Sequence, residues 1–471
     1  MKEKIMIITR EKLQVVSALL FYLFAFLPLS AQTTYSLKQI VDSALQNNIA
    51  IRQAQRSIEN AQEQRKEAFT KFFPNVSGTG LWFNANRGMA KMDVNPSEVI
   101  PPSMAPSLAE MFPPEALAEL ANPVSISMMK NGTIAGITAT QPVFAGGQIV
   151  NGNRLAKIGE EAAYLQKQLS ENEVEKTAEQ YFWKIVSLQE KIKTLDAVEA
   201  MLADIRKDVE VAVKAGVALR NDLLQVQLRQ NDVASQRLKL NNGLSIVRML
   251  LAQYCGLSTS EFGVEAPDVS IENQQPTELT LPTNDGKAVA APMGNEWAAT
   301  TEYQLLKKQV EAANLQKKMT VGKNLPTVAV GAGYNYHNLM GNDHTFGMVF
   351  ATVSIPISDW WGGSHAIKQK NIELQKAIDQ QKDNAELLKI RIQNAWNSVG
   401  ESYQQLQIAQ RSIEQAEENL RLNRDFYKAG TSKMTDLLEA QLLYQQARDQ
   451  HTDAYAELQN KLLEYRQSIG Q

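Results

Sequence analysis

Thiols, histidines and long apolar runs are all scarce in this chain of 471 residues. The one cysteine, Cys255, excludes an internal disulfide and a thiolate metal cluster. The histidines are four, His337, His344, His365 and His451, which leaves little material for a metal centre. A formal net charge of −3 lacks the basic stripe that a nucleic-acid binder needs to neutralise phosphates. Mean hydropathy is −0.30. A single segment approaches the roughly 20 apolar residues of a membrane-spanning helix, so a polytopic helical membrane protein is excluded.

That segment is N-terminal. Lys2, Lys4, Arg10 and Lys12 precede the apolar stretch Val15 to Leu27, and Pro28, Ser30 and Ala31 follow. A charged start, a short apolar centre and small residues at the exit predict a secretory signal peptide over 1–31. No cysteine follows it to take a lipid.

Catalytic signatures are missing too. There is no His-Glu-x-x-His, no phosphate-binding loop and no serine elbow, and Gly331-Ala332-Gly333 lacks the third glycine of a dinucleotide fingerprint. No enzyme activity and no cofactor are expected. His337 and His344 flank an expected hairpin tip, where solvated loop residues are the plainer reading than a metal pair.

What is present is a duplication. Lys214-Ala215-Gly216-Val217, then Asp222-Leu223-Leu224 and Gln227, return as Lys428-Ala429-Gly430-Thr431, then Asp436-Leu437-Leu438 and Gln441, each 214 residues later. Pro142 and Pro356 keep that offset, and Gly146-Gly147 answers Gly362-Gly363 at 216. Pro74 answers Pro326 at 252, so 38 extra residues enlarge a loop of the first copy.

Each copy reads as helix, proline, strand, loop, strand, Gly-Gly, very long helix, glycine tip and returning helix. Tyr35 to Phe72 and Trp297 to Lys323 are helical by propensity, and Pro74 and Pro326 stop them. Strands are expected at about 76–83, 133–144, 328–337 and 346–357. In the last, Phe346, Met348 and Phe350 alternate with Gly347, Val349 and Ala351. Weak alternation over about ten residues suits a transmembrane barrel strand, although an ordinary hairpin alternates as well.

Ile149 to Lys214 contains no proline, and its matching element is Ile367 to Lys428. Tyr181, Ile185, Leu188, Ile192, Leu195 and Leu202 follow 3-4 spacing, as do Trp396, Val399, Tyr403, Leu406, Ile413 and Leu420. Such seams need partner helices along their length. Gly216 and Gly430 end the rods, and the chain returns as Arg220 to Tyr254 and Lys433 to Ser468. Proline-rich 257–296 reads as a connector between the copies, 32–256 and 297–471.

Four membrane strands cannot close a barrel within one chain, because an open edge in lipid leaves backbone groups unsatisfied. Three chains would supply twelve strands and a pore. The expected fold class is therefore mainly α with transmembrane β: long α-helical hairpins plus four strands per protomer.

In this order, twice, these motifs resemble the TolC-like outer-membrane efflux protein family. The resemblance rests on Tyr35-Ser36-Leu37, Ala44 and Asn47-Asn48, the Phe73-Pro74 and Leu325-Pro326 strand starts, Gln141-Pro142-Val143-Phe144 with Gly146-Gly147, and the two tips. It implies a homotrimeric exit duct embedded in outer-membrane lipid and extended through the periplasm. Its implied partners are a periplasmic adaptor and an inner-membrane transporter, proton-driven by preference, with no nucleic acid involved.

The resemblance also implies site residues. Asp222 and Tyr427 match a bridging aspartate–tyrosine pair, and Asp436 and Glu439 match two acids lining the periplasmic aperture. Lys214, Ala215, Gly216, Val217, Lys428, Ala429, Gly430 and Thr431 form the adaptor-contact tips. Ser432 and Asn221 depart from an arginine–threonine latch. A duct of a type I protein secretion system and a periplasmic coiled-coil or adaptor protein are the alternatives. The loop Asn84 to Asn131 carries Met89, Met92, Met104, Met111, Met128 and Met129, but thioethers without nearby His or Cys favour a loop with a short helix near Leu108 to Ala121 over a copper site.

Overall fold

The computed structural model describes residues 34–95, 98, 100–120, 122–258, 261–265, 296–339 and 342–470. The expected signal peptide and most of the expected connector lie outside them. The chain divides into two compact units, Met1–Arg56, Leu165–Gln304 and Asn384–Gln471 in one, Ser57–Tyr164 and Leu305–Asp383 in the other. Each unit draws on both copies of the duplication.

The first copy runs β1 (Thr34–Tyr35), α1 (Leu37–Asn47), α2 (Ile49–Thr70), β2 (Asn75–Asn84), β3 (Ala90–Val94), α3 (Ala105–Met111), α4 (Pro114–Leu120), β4 (Val124–Met128), β5 (Asn131–Ala145), α5 (Gln148–Lys214), α6 (Arg220–Cys255) and β6 (Gly263–Val264). The second runs α7 (Thr301–Lys323), β7 (Thr327–His337), β8 (His344–Ser354), α8 (Asp359–Lys428) and α9 (Met434–Ser468).

The expected opening helix is broken in two at Asn48, whose backbone is extended at φ −65° and ψ 140°. Its side chain compensates the break. Oδ1 accepts from Ala50 N at 2.8 Å, and Nδ2 donates to Tyr254 O at 3.1 Å, while Asn47 Nδ2 donates to Cys255 O at 3.1 Å. The asparagine pair thus satisfies two of the carbonyls that α6 leaves unpaired at its C-terminus. At the other end of α1, Ser36 and Gln39 cap each other through backbone and side chain. Tyr35 and Val264 pair in a short parallel ladder, and the buried Phe262 meets the Tyr35 ring edge-on at 5.7 Å.

The same unit holds the helical seams. On α5 the buried positions include Ile185, Leu188, Leu195, Val198, Leu202, Ile205 and Val209. Val198 fills the step where Glu199 interrupts the expected seam, and Glu199 pairs outward with Arg237 instead. On α8, Trp396, Val399, Leu406, Ala409 and Leu420 are buried, Ala409 bridging the gap at Gln410. Each fully buried leucine or isoleucine contributes about 1.5–3 kcal/mol, so it is the seam rather than helix propensity that holds these rods.

In the other unit, β2, β5, β7 and β8 form one antiparallel sheet in that order, with β2 and β8 at its edges. The strands fall within a few residues of the expected ranges, except that β8 begins and ends earlier. β5 shifts register between Pro142 and Phe144, where a ring without an N–H would otherwise cost a ladder bond. The register assigns the side chains to two faces. One face carries Val76, Trp82, Ile137, Val330, Tyr334, Val349 and Val353 with Thr133, Tyr336 and Thr345 among them; the other mixes Ser77, Thr79, Thr138, Thr140, Asn335, His337, His344 and Thr352 with Leu81, Ile134, Phe346, Met348 and Phe350.

Two expectations fail here. The helix near Leu108 to Ala121 is two short helices, α3 and α4, flanking Pro113, and β3 and β4 form an unforeseen hairpin beside them. The second long helix starts at Asp359 rather than Ile367, so Gly362-Gly363 lies inside α8. Its counterpart Gly146-Gly147 makes a turn with both φ angles positive. The matched dipeptides do different jobs.

Candidate functional site

The two hairpin tips are built alike. α5 and α8 end on Lys214 and Lys428, cations suited to the negative end of a helix dipole. Gly216 and Gly430 follow with φ of 76° and 74°. This left-handed residue lets Val217 N reach back to Ala212 O at 3.0 Å and Thr431 N to Phe426 O at 2.9 Å, satisfying the last carbonyls. Thr431 Oγ1 adds a bond to the same Phe426 oxygen at 3.0 Å. The expected tip residues Ala215, Gly216, Val217, Ala429, Gly430 and Thr431 are all exposed, Val217 at 80%.

Asp222 and Asp436 occupy equivalent places at the start of the returning helices. Asp222 Oδ2 accepts from Leu219 N, and Asp436 Oδ2 from Lys433 N, each at 3.2 Å. Asp436 Oδ1 also accepts from Thr435 Oγ1 at 3.2 Å. Both acids therefore do the ordinary work of an acid in the first turn of a helix. Glu439, one turn beyond Asp436, is exposed with it, while Met434, Leu437, Ala440 and Gln441 of α9 are buried. The pair thus sits on the outward face of α9.

Asp222 and Tyr427 both line a cavity of about 510 Å³ between the tips that also takes in Asp208, Arg424 and Ser432. No hydrogen bond joins them. Burial and the Asp222 carboxylate both push the Tyr427 hydroxyl above its ordinary pKa. Ser432, at the position of the missing latch arginine, has a buried Oγ with no hydrogen-bond partner. Asp436 and Glu439 do not line this cavity.

A second polar cluster escaped the sequence reading. Arg229 on α6 donates to Gln441 Oε1 at 2.8 Å and to Gln445 Oε1 at 2.7 Å on α9, and Gln445 Nε2 donates to Gln236 Oε1 at 2.8 Å. Gln441 and Gln445 are buried, and burial draws the Arg229 pKa down. The available signal was glutamine at seam positions of α9, Gln441 standing inside the repeated motif itself.

Comparison with known proteins gives this geometry its context. The outer membrane efflux protein family model matches residues 304–471. That match falls within the second copy of the duplication. No curated protein matches the sequence. Solved structures match far more of the chain. The outer-membrane channel OprN superposes with a TM-score of 0.69 at 17% identity, over 92% of this chain and 89% of that one. The outer membrane protein VceC of Vibrio cholerae gives 0.68 at 13%, over 92% and 96%. The outer membrane channel CmeC of Campylobacter jejuni gives 0.67 at 15%, over 92% and 85%. At these identities the shared property is the fold, over 92% of this chain. No helix among the described residues is long and apolar enough to cross a membrane.

Proposed function

We propose that this protein is the outer-membrane exit duct of a tripartite efflux system, acting as a homotrimer with a periplasmic adaptor and a proton-driven inner-membrane transporter. The observation that carries the reading is the four-stranded sheet, open at β2 and β8, with exposed Val76, Trp82, Ile137, Tyr334, Val349 and Val353 together on one face. In lipid, each unpaired backbone group at such an edge costs several kcal/mol, and edge-to-edge closure by three copies removes that cost. Aromatic rings flank the sheet as they do at barrel interfaces. Phe72, Phe73, Trp360 and Trp361 stand where the strands meet the helices, and Trp82 and Tyr334 stand toward the other end.

The hairpin tips are the entrance. Threefold symmetry gathers Asp436 and Glu439 into six carboxylates around the aperture, favouring cations through a focused negative potential. Asp222 and Tyr427 face the same cavity between the tips, where a bond between them would tie the two hairpins. The exposed Ala215–Val217 and Ala429–Thr431 backbones offer the adaptor its contact.

The test is conductance of the purified full chain in planar bilayers. Neutralising both acids, D436N with E439Q, is expected to raise conductance or weaken cation preference severalfold. Unchanged conductance and selectivity overturn the aperture assignment. Soluble monomers in the periplasmic fraction, in place of heat-modifiable oligomers in the outer membrane, overturn the duct itself.

A further inference from the structure

Two of the chain's four histidines are cross-strand neighbours. His337 and His344 form the last register pair of β7 and β8, on the face that also carries Asn335 and Phe346. Their ring centroids lie 5.5 Å apart with planes at 42°. Phe346 meets the His337 ring edge-on at 6.0 Å and 63°, which restricts its rotation. The Nδ1 of His337 is buried and has no hydrogen-bond partner, an unsatisfied lone pair or proton of the kind that buried polar groups rarely leave. Just outside the pair, Tyr336 donates to Asp343 Oδ1 at 2.7 Å and fixes the approach to β8.

We propose that His337 and His344 form a two-imidazole site for a borderline divalent cation of the Zn²⁺ or Cu²⁺ type. A zinc ion bound to imidazole nitrogens at about 2.0–2.1 Å with a near-tetrahedral angle puts the two ring centres roughly 5 Å apart, close to the spacing observed. The antiparallel ladder sets that spacing before any ion arrives, so binding requires small ring rotations and no backbone change. Imidazole selects Zn²⁺, Cu²⁺ and Ni²⁺ over Mg²⁺ and Ca²⁺, which need oxygen donors. Water completes the shell. The site stands on strand register and ring geometry, and it holds whether or not the tip acids form an aperture.

The test uses the full chain in detergent, purified through an affinity tag that contains no histidine. Equilibrium dialysis against ZnCl₂ is expected to show one saturable ion per chain that excess MgCl₂ does not displace. His337→Gln and His344→Gln should each weaken it at least tenfold, while His365→Gln, His451→Gln and the D436N/E439Q pair leave it unchanged. Circular dichroism and heat-modifiable mobility establish that the variants fold. As an independent readout, the Cu²⁺ electron paramagnetic resonance spectrum should carry hyperfine coupling from two nitrogens. Absence of saturable binding, equal binding by the His337 and His344 variants, loss of binding in the tip variant, or a spectrum with fewer than two nitrogens overturns the proposal.

Discussion

Cys255 shows how a single reactive residue is made inert by its place in the fold. It ends α6 with no solvent exposure, and its Sγ lies 3.6 Å from Ile40 O. Burial pushes its thiol up to about 11. At pH 8 its thiolate population is then on the order of 100-fold below that of a free cysteine. Ellman's reagent should leave the folded protein untouched and titrate one thiol after denaturation; rapid reaction of the folded chain would show that α1 and α6 separate. The tip acids invite a similar distinction. Asp222 and Asp436 each accept a backbone N–H three residues back, so their helix-start role needs no channel. Asn at 436 retains the accepting oxygen and removes charge alone, which is why D436N suits the conductance test better than alanine. Glu439 has no such cap to make, and its charge is the clearer candidate for the aperture.

At the scale of elements, the matched Gly-Gly pairs give the sharpest contrast. Gly146 has φ of +59°, and a Cβ there would sit 2.0 Å from Gly322 O. Gly146→Ala should therefore destabilise the protein by more than about 2 kcal/mol, because backbone meets backbone and neither can swing aside. Gly362 lies within α8 with nothing near a built Cβ, and Gly362→Ala should stabilise it by about 1 kcal/mol. Thermal unfolding followed by circular dichroism should move in opposite directions for the two variants; the same direction would refute the reading. The pair also marks the limit of what the chain's pattern discloses. Prolines, tip glycines and 3-4 seams are local signals, so the four strands and the long helices are legible to within a few residues. A dipeptide match carries no φ angle, hence the late start assigned to the second long helix. The inserted hairpin, Ala90–Val94 with Val124–Met128, is likewise illegible, since its partner segments are far apart in sequence and only weakly alternating. For the site, the Asp222–Tyr427 juxtaposition follows from the resemblance, whereas the Arg229–Gln441–Gln445 cluster depends on α6 meeting α9, a contact no local pattern encodes.

For the whole molecule, the decisive question is what each face of the sheet meets. Val349 and Met348 are chain neighbours near the middle of β8, yet the pleat sends them to opposite faces. Val349 is 87% exposed in the single chain and shares its face with Ile137, Tyr334 and Val353. If that face meets lipid, Val349→Arg costs about 2–4 kcal/mol, the cost of an arginine near a bilayer midplane. Met348 shares its face with Thr138, Asn335 and His344 as well as Phe346 and Phe350, so Met348→Arg, if that face lines water, should cost less than Val349→Arg. A one-residue shift along one strand thus separates a wall buried in lipid from a wall lining a lumen. The measurement is the yield of heat-modifiable protein in the outer-membrane fraction, with urea unfolding from liposomes to put the two variants on one scale. Loss for Val349→Arg with near-normal yield and altered ion selectivity for Met348→Arg fits a barrel closed by several copies around water. Equal losses would mean that both faces see the same surroundings, and the sheet would then be packed against protein on both sides, leaving no barrel wall and no duct.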